Sequence, residues 1–409
     1  MDLSSDLKLY FLGTGSQKPS PTRNVTSVAL ILESGHYILF DCGEGTQHQI
    51  LRSKLSLSNI NTIFITHLHG DHIFGLPGLL CSLNEILSGR EFTIYGPTGL
   101  LDYLKATLFN RLYCILQYKL NVIEFNSTMD TGIIDPIITL EGISRNEQGY
   151  EIKSFPVKHT SVSQGNTYGF IIKQDDQNIK FKNPDSSGLF NFMQKNESQV
   201  VDWIKSITGN EQNYRSALGI LQRSDTPLII NDDELGEINI RESERFVDTP
   251  KRGTCICLII DSSDSSFAIE ALAGKECDVL IHESTNAKTS LDGDKSYQEI
   301  EEETLRHGHS TPQLAGALAR RINTKQLVLT HFSSRYQGDI SEENLSIMEE
   351  IRTSAVETYG SNSVITARDF MEINIQKSKE ESLLETAKVM QLQIGKESKG
   401  GFFYDIKYE

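Results

Sequence analysis

Three histidines and one aspartate stand within six positions of the stretch NTIFITHLHGDHIFGLPGLL, residues 61–80. They are His67, His69, Asp71 and His72. Imidazole nitrogens and carboxylate oxygens suit zinc, with manganese or iron as alternatives. The four residues follow an apolar run and precede a Gly-Leu-Pro-Gly turn, which disfavours a mere surface cluster of histidines. Because alternate residues that leave a strand can spread around one point, the spacing predicts two metal ions, one held by the first two histidines and one near Asp71 and His72.

The rest of the chain supplies residues of the same kind at the ends of apolar runs. With only ten histidines in the chain, the search is short. Four residues end or directly follow an apolar run: His159, Asp261, His282 and His331. Since sites in open α/β sheets form beyond the strand ends, we expect such residues to meet. A lone histidine after a strand is more often structural, so the prediction depends on their joint occurrence.

The composition is typical of a soluble globular protein: of the 409 residues, 38% are hydrophobic and 23% are charged. The start of the chain lacks the pattern of a signal peptide, and no apolar run approaches the length of a membrane span, which predicts an intracellular protein. The six scattered cysteines fit small core residues in a reducing compartment. The net charge of −16 argues against broad attraction to nucleic acid but leaves room for a local basic patch.

Apolar runs between turn signals predict the strands that must carry the site residues. They lie at 7–15, 27–41, 61–66, 254–260, 278–281 and 326–330. Ser34-Gly35 divides the second run into a hairpin. Pro312 directly after Thr311 predicts a helix over 312–322 with Thr311 as its N-cap. Strands that predominate early and later alternate with helices predict an α/β layered architecture.

The regular pattern weakens between 173 and 250, a polar and mostly acidic stretch with one predicted helix at about 190–207. We interpret this stretch as an arm inserted into a catalytic domain that spans 1–375. Residues 376–409 are a charged tail, in which 380–392 fit an amphipathic helix.

Longer motifs carry a resemblance that the histidine cluster alone does not. They are FLGTGSQKPSPTRN, LFDCGEGTQHQ, FITHLHGDHIFGLPGLL, IYGPTGL, FPVKH, LIHEST, GHSTPQLAGALA and LVLTHFSSRY, and they extend over most of 7–375. The chain resembles the metallo-β-lactamase superfamily and, within it, the tRNA 3′-end endonucleases of the ribonuclease Z (tRNase Z) family in their short form. The resemblance implies a four-layer αβ/βα sandwich with a dinuclear metal site at the sheet edges.

The resemblance also implies roles for individual residues. Two Zn²⁺ ions would be bound, the first by His67, His69 and His159, the second by Asp71, His72 and His331, and both by a bridging Asp261. Asp71 would also orient or deprotonate the attacking water. Glu283 and His309 would form a pair that delivers a proton to the leaving oxygen, which agrees with general acid catalysis beside two metals.

Three residues near the predicted site keep alternative interpretations. The bridging aspartate of the family usually follows glycine, whereas Asp261 follows Ile260, so Asp264 is the alternative bridging residue. Asp41 in DCGEGTQ either orients a metal-binding histidine or caps a turn. His282 fits a residue that hydrogen-bonds a ligand carboxylate better than it fits a ligand.

Together, the predicted site and this resemblance indicate a zinc-dependent endoribonuclease. It would cut precursor tRNA on the 3′ side of the discriminator base and leave a 3′-hydroxyl on the tRNA. The family implies a homodimer, and the expected location is cytoplasmic, nuclear or both. One alternative is another hydrolase of the same fold, such as a phosphodiesterase acting on a small substrate. A second alternative is an RNA-binding relative without activity, which the seven candidate ligands disfavour.

The predicted arm departs from the family, because it lacks the Gly-Pro pair that the family carries there. Its basic residues are either phosphate contacts for tRNA or part of a solvated surface of mixed charge. These residues are Lys180, Lys182, Arg241, Arg245, Lys251 and Arg252.

Overall fold

The structure is a computed structural model, and it describes most of the chain. The described residues are 7–109, 115–126, 138–140, 149–159, 166–176, 181–221, 226–247, 252–375, 393–394 and 404–405. The helix predicted at 380–392 lies outside these residues, as do Lys180 and Lys251 of the predicted arm. The chain divides into two compact units, the first formed by Met1–Gln174 with Thr254–Glu409 and the second by Asp175–Gly253. We call them unit 1 and unit 2.

The strands within the described residues, in chain order, are β1 Leu7–Gly13, β2 Ser27–Ile31, β3 Tyr37–Phe40, β4 Ile60–Phe64, β5 Glu91–Pro97, β6 Lys119–Phe125, β7 Ile138–Leu140, β8 Tyr150–Val157, β9 Thr167–Gln174, β10 Ile229–Asp232, β11 Gly236–Asn239, β12 Cys255–Ile259, β13 Val279–Glu283, β14 Gln326–Thr330, β15 Val364–Thr366, β16 Glu372–Ile375, β17 Gln393–Ile394 and β18 Tyr404–Asp405.

The α-helices in the same residues are α1 Thr46–Arg52, α2 Gly70–Ile73, α3 Leu76–Ser82, α4 Leu100–Leu104, α5 Leu189–Lys195, α6 Glu197–Thr208, α7 Ala217–Leu221, α8 Phe267–Leu272, α9 Tyr297–Arg306, α10 Pro312–Arg321 and α11 Glu342–Tyr359. A π-helical turn, Lys105–Phe109, continues α4.

Within the described residues, unit 1 contains two seven-stranded sheets and the short pair β17-β18. The first has the order β16-β1-β2-β3-β4-β5-β6, and the second has the order β15-β14-β13-β12-β9-β8-β7. From β3 to β6 and from β12 to β15 the neighbouring strands are parallel. The carboxyl ends of parallel strands meet at one edge of a sheet, so each half of unit 1 offers an edge where side chains can converge.

Three apolar cores explain why unit 1 has four layers. One core lies between the sheets, with Phe40 and Phe64 from the first sheet and Ile256 and Leu258 from the second. A second core packs the outer face of the first sheet against α1, α3 and α4. A third packs the outer face of the second sheet against α8, α10 and α11. Each sheet is thus buried on both faces, and the predicted αβ/βα sandwich is confirmed.

Several local predictions are confirmed within a few residues. The run at 27–41 forms β2 and β3, and Gly35 takes the left-handed φ of 82° in the turn between them. Thr311 caps α10 by accepting a hydrogen bond from the backbone N–H of Leu314. The predicted helix at about 190–207 is two helices, α5 and α6, which meet at Asn196. The pair Cys255 and Cys257 is buried in the core, as predicted.

Unit 2 has an apolar core of its own, although its sequence is mostly polar. Leu189 and Phe192 from α5, Val200 and Ile204 from α6, and Ile230 from β10 are all buried in it. The hairpin of β10 and β11 completes the unit. The segment is therefore a folded body and not an extended loop.

No described helix is both long enough and apolar enough to cross a membrane.

Candidate metal centre

The predicted ligands of unit 1 converge at the ends of its strands. Three groups of side chains could each hold a metal ion, because within each group the ligand atoms all lie within 4.8 Å of one another. The groups are His67, His69, His159 and Asp261; Asp71, His72 and His331; and Asp261, His309 and His331. The structure therefore brings together all seven predicted ligands and His309, although they are spread through the sequence from position 67 to position 331.

Asp261 lies at the centre of this arrangement. Its Oδ2 is 3.5 Å from Nε2 of His67 and 3.5 Å from Nε2 of His159. Its Oδ1 is 2.9 Å from Nε2 of His331. One carboxylate thus faces both groups of histidines, which is the position that a bridging ligand needs. Asp264, the alternative, is exposed, and its Oδ1 accepts from the backbone N–H of Ser266.

Several polar atoms of this cluster are buried and form no hydrogen bond of acceptable geometry, although Oδ1 of Asp261 and Nε2 of His331 are in contact. They are Nε2 of His67, His72 and His331 and Oδ1 of Asp261. Buried polar atoms are almost always satisfied, so four orphaned atoms at one point need an explanation. Metal ions would satisfy them, because nitrogen and carboxylate oxygen are metal ligands. The donor set therefore fits divalent cations.

Hydrogen bonds at Nδ1 fix the direction of three histidines. Nδ1 of His159 donates to the carbonyl oxygen of Gly308 at 2.7 Å, and Nδ1 of His72 lies 2.7 Å from Oδ2 of Asp41. Nδ1 of His67 lies 3.1 Å from the hydroxyl oxygen of Thr66. When Nδ1 carries the proton, Nε2 keeps a free lone pair, so these bonds select the tautomer that binds metal.

Asp41 contacts a candidate ligand and does not only cap a turn. Its two oxygens accept from the backbone N–H and the hydroxyl of Thr66, both at 2.8 Å, while Oδ2 also faces His72. Asp41 and His331 both have positive φ, 59° and 56°. Non-glycine residues adopt this conformation rarely, and strained backbone of this kind concentrates at functional sites.

The loop before β2 also contacts the site. The backbone N–H of Gln17, another residue with positive φ, donates to Oδ2 of Asp71 at 2.7 Å. Gly43 allows the DCGEGTQ loop to pack against the backbone of Asp71, because a Cβ at this position would overlap the carbonyl oxygen of Asp71. Two loops outside the histidine motif thus hold one of its residues.

Glu283 and His309 lie beside the ligands as a buried pair. Oε2 of Glu283 is 3.3 Å from Nδ1 of His309. The Glu283 carboxylate also accepts from the backbone N–H of Ser262 and from the hydroxyl of Thr285. That hydroxyl lies 3.0 Å from Nδ1 of His331. Thr285 therefore connects the acid–base pair to a candidate ligand.

The electrostatics keep the carboxylates ionised. Burial alone would raise the pKa of Asp71, but the imidazoles of His72 and His331 hold it well below its ordinary value. Burial acts on Asp261 in the same direction, and the same two imidazoles again hold its pKa well below the ordinary value. Burial lowers the pKa of His309, yet the Glu283 carboxylate more than offsets this effect and raises it. Buried anions among imidazoles are an environment that attracts cations.

Sequence reasoning missed Thr66, Thr285 and Gln17. Both threonines stand within two positions of a motif residue, but a threonine after a strand carries no signal of its own. His282 does not take the part considered for it, because its Nε2 lies 2.8 Å from the hydroxyl of Ser265 and its Nδ1 lies 2.8 Å from the carbonyl oxygen of Glu283.

The fold and this cluster define a protein of the metallo-β-lactamase fold with a candidate metal centre. The YhfI protein of Bacillus subtilis, described as having that fold, aligns with a TM-score of 0.51 at 14% identity, covering 91% of this chain and 100% of its own. The short form of human tRNase Z aligns with a TM-score of 0.53 at 28% identity, covering 90% of this chain and 99% of its own. A family model described as anti-Pycsar protein Apyc1 matches residues 7–204.

Two curated relatives narrow this class of protein to one family. Ribonuclease Z of Listeria monocytogenes is 34% identical over 343 residues, which are 83% of this chain and 92% of the relative. Ribonuclease Z of Pediococcus pentosaceus is 32% identical over 90% of this chain and 99% of the relative. The chain belongs to the ribonuclease Z family.

Proposed function

We propose that this protein is an endoribonuclease that removes the 3′ trailer from precursor tRNA, cutting after the discriminator base to leave a 3′-hydroxyl. The observation that carries the proposal is the position of Asp261, whose two oxygens face the two groups of histidines. The reaction is hydrolysis of a phosphodiester, for which a two-metal site is suited. Such a substrate places the activity inside the cell.

We infer that the cofactors are two Zn²⁺ ions per chain. His67, His69 and His159 would hold one, Asp71, His72 and His331 the other, and Asp261 both. When bound, such ions lower the pKa of water and neutralise charge on the phosphate oxygens. The four orphaned buried atoms support this assignment.

The chain's own residues handle the protons in this proposal. Asp71, held by the N–H of Gln17, orients the attacking water as a hydrogen-bond acceptor. His309 directs Nδ1 toward Glu283, so its Nε2 is the atom that can donate to the leaving 3′-oxygen. Glu283 holds the imidazole in place and, by raising its pKa, favours the protonated form.

We propose that unit 2 contributes to tRNA binding and that the protein acts as a homodimer, as the family resemblance implies. Lys182 and Arg245 are basic residues of unit 2 that could face phosphates. The Nζ of Lys182 donates to the carbonyl oxygen of Glu244, and the guanidinium of Arg245 lies 5.2 Å from the ring centre of Phe246. Light scattering would test the oligomeric state, with a monomer contradicting the dimer.

The decisive experiment is incubation with a precursor tRNA that carries a 3′ trailer, followed by mapping of both product ends. We expect a 3′-hydroxyl on the discriminator nucleotide and no product with His67→Ala. Elemental analysis should find about two divalent metals per chain. Active protein with one metal or fewer would contradict the dinuclear site. Turnover of a small phosphodiester without tRNA cleavage would favour the alternative hydrolase.

A further inference from the structure

Phe74 is an exposed aromatic residue at the edge of the metal centre. Its side chain is 61% exposed, although it lies only two positions after His72, which is fully buried. Within the described residues, no aromatic ring stacks on it. Exposure alone is shared by other apolar residues such as Leu51, so the significance of this ring depends on what lies next to it.

The ring of Phe74 lies against the backbone of Gly70. The N–H of Phe74 donates to the carbonyl oxygen of Gly70 at 2.9 Å and ends α2. The ring lies so close to Gly70 that a Cβ on this glycine would overlap three of its atoms. Since Gly70 stands between His69 and Asp71, the ring lies beside two candidate ligands.

A cavity of about 410 Å³ opens next to the ring. His69 and Asp71 line it on the side of the metal centre, and Gln17 and Lys18 also contribute to its lining. Its volume lies in the range of pockets for small ligands, which suits one nucleotide and not a duplex. Lys18 is exposed, and no ion pair engages its ammonium group within the described residues.

We infer that this cavity holds one nucleotide of the RNA, next to the scissile phosphate, with its base stacked on Phe74 and a phosphate facing Lys18. The inference rests on the proposed function and deepens it. Unpaired bases stack on phenylalanine in proteins that bind single-stranded RNA. Each such contact contributes about 1–3 kcal/mol, which is about 5- to 150-fold in kcat/KM.

The test is a double-mutant cycle between the ring and the base. Phe74→Leu keeps an apolar side chain but removes the π-face, whereas Phe74→Trp keeps a π-face. Leu51→Ala, at a residue that is 65% exposed, is the matched control. The substrates are the intact precursor tRNA, one with an abasic discriminator nucleotide and one with an abasic first trailer nucleotide.

We expect Phe74→Leu to lower kcat/KM on the intact precursor by about 5- to 150-fold, while Phe74→Trp and Leu51→Ala stay within about twofold of wild type. One of the two abasic substrates should be slow for the wild type and no slower for Phe74→Leu, because the stacking partner is already absent. Lys18→Gln should reduce the salt dependence of binding by about one phosphate contact.

Equal losses with Phe74→Leu on all three substrates would overturn the inference, since the ring would then act on folding or on the ligands. Unchanged cleavage of the intact precursor by Phe74→Leu would overturn it as well. Failure of the proposed function is distinguishable, because the wild type would then leave the intact precursor uncut.

Discussion

The hydroxyl of Thr285 lies 3.0 Å from Nδ1 of His331 and donates to the carboxylate of Glu283. Thr66 has the same relationship in the other half of unit 1, where its hydroxyl lies 3.1 Å from Nδ1 of His67 and donates to the carboxylate of Asp41. Each threonine comes two positions after the end of a strand, β13 or β4. In both halves of unit 1, therefore, a threonine hydroxyl lies between a buried carboxylate and a candidate ligand histidine.

We predict that Thr285→Val weakens metal binding or activity by about 10- to 100-fold, because residues that orient ligands have effects of this size. Valine has the shape of threonine but cannot accept the proton of His331 Nδ1. Thr285→Ser keeps the hydroxyl and should stay near wild type. Zinc titration and kcat/KM measure the effect, and a Thr285→Val protein equal to wild type in both would contradict it.

We predict that Asp261→Ala abolishes cleavage and lowers bound metal, whereas Asp264→Ala leaves both largely intact. Of these two aspartates only Asp261 faces the histidines, and without it two cations would repel each other unshielded. Elemental analysis beside end-mapped cleavage measures both properties. An active Asp261→Ala protein with an inactive Asp264→Ala protein would reverse the assignment.

We predict that Asp369→Asn destabilises the protein by about 1–3 kcal/mol. Oδ1 of Asp369 accepts from the backbone N–H and hydroxyl of Thr14, and Oδ2 accepts from the N–H of Asn24 and from the side-chain amide of Gln49. Whichever way the amide of the new asparagine turns, its NH₂ would face an N–H donor. Urea unfolding measures the loss.

Asp102→Asn is the control for this prediction, because Asp102 is exposed and forms an ion pair with Lys105 three residues on. Its free energy of unfolding should change by less than about 0.5 kcal/mol. Equal effects of the two substitutions would show that the buried donors at Asp369 do not discriminate a carboxylate from an amide.

We predict that Lys182→Glu with Arg245→Glu weakens tRNA binding and lowers its salt dependence, since each phosphate contact adds to the salt slope. Turnover of a small phosphodiester should be unchanged, because both residues lie in unit 2 and the metal centre in unit 1. Lys119→Glu, at an exposed residue of unit 1, is the control. Equal loss of both activities would mean that unit 2 supports the fold and not tRNA docking.

The sequence by itself determined the elements whose signals are local. The N-cap at Thr311, the hairpin at Gly35 and the strand β14 were all predictable, because neighbouring residues decide them. Several of the residues that converge were predictable for a related reason, whereas the roles of Glu283 and His309 came from the family resemblance. Most of them follow strands, and parallel strands bring their carboxyl ends to one edge of a sheet.

Only the tertiary structure decided which partners these residues have. Asp41 meets His72 across 31 positions of sequence, and Thr285 meets His331 across 46. The choice between Asp261 and Asp264 likewise depends on which carboxylate faces the histidines. A sequence pattern indicates which side chains share a face of a strand or helix. It does not indicate which atoms of distant residues come into contact. The core of unit 2 was hidden for a similar reason, because its apolar residues are spread thinly along a polar stretch and meet only when the helices α5 and α6 pack together.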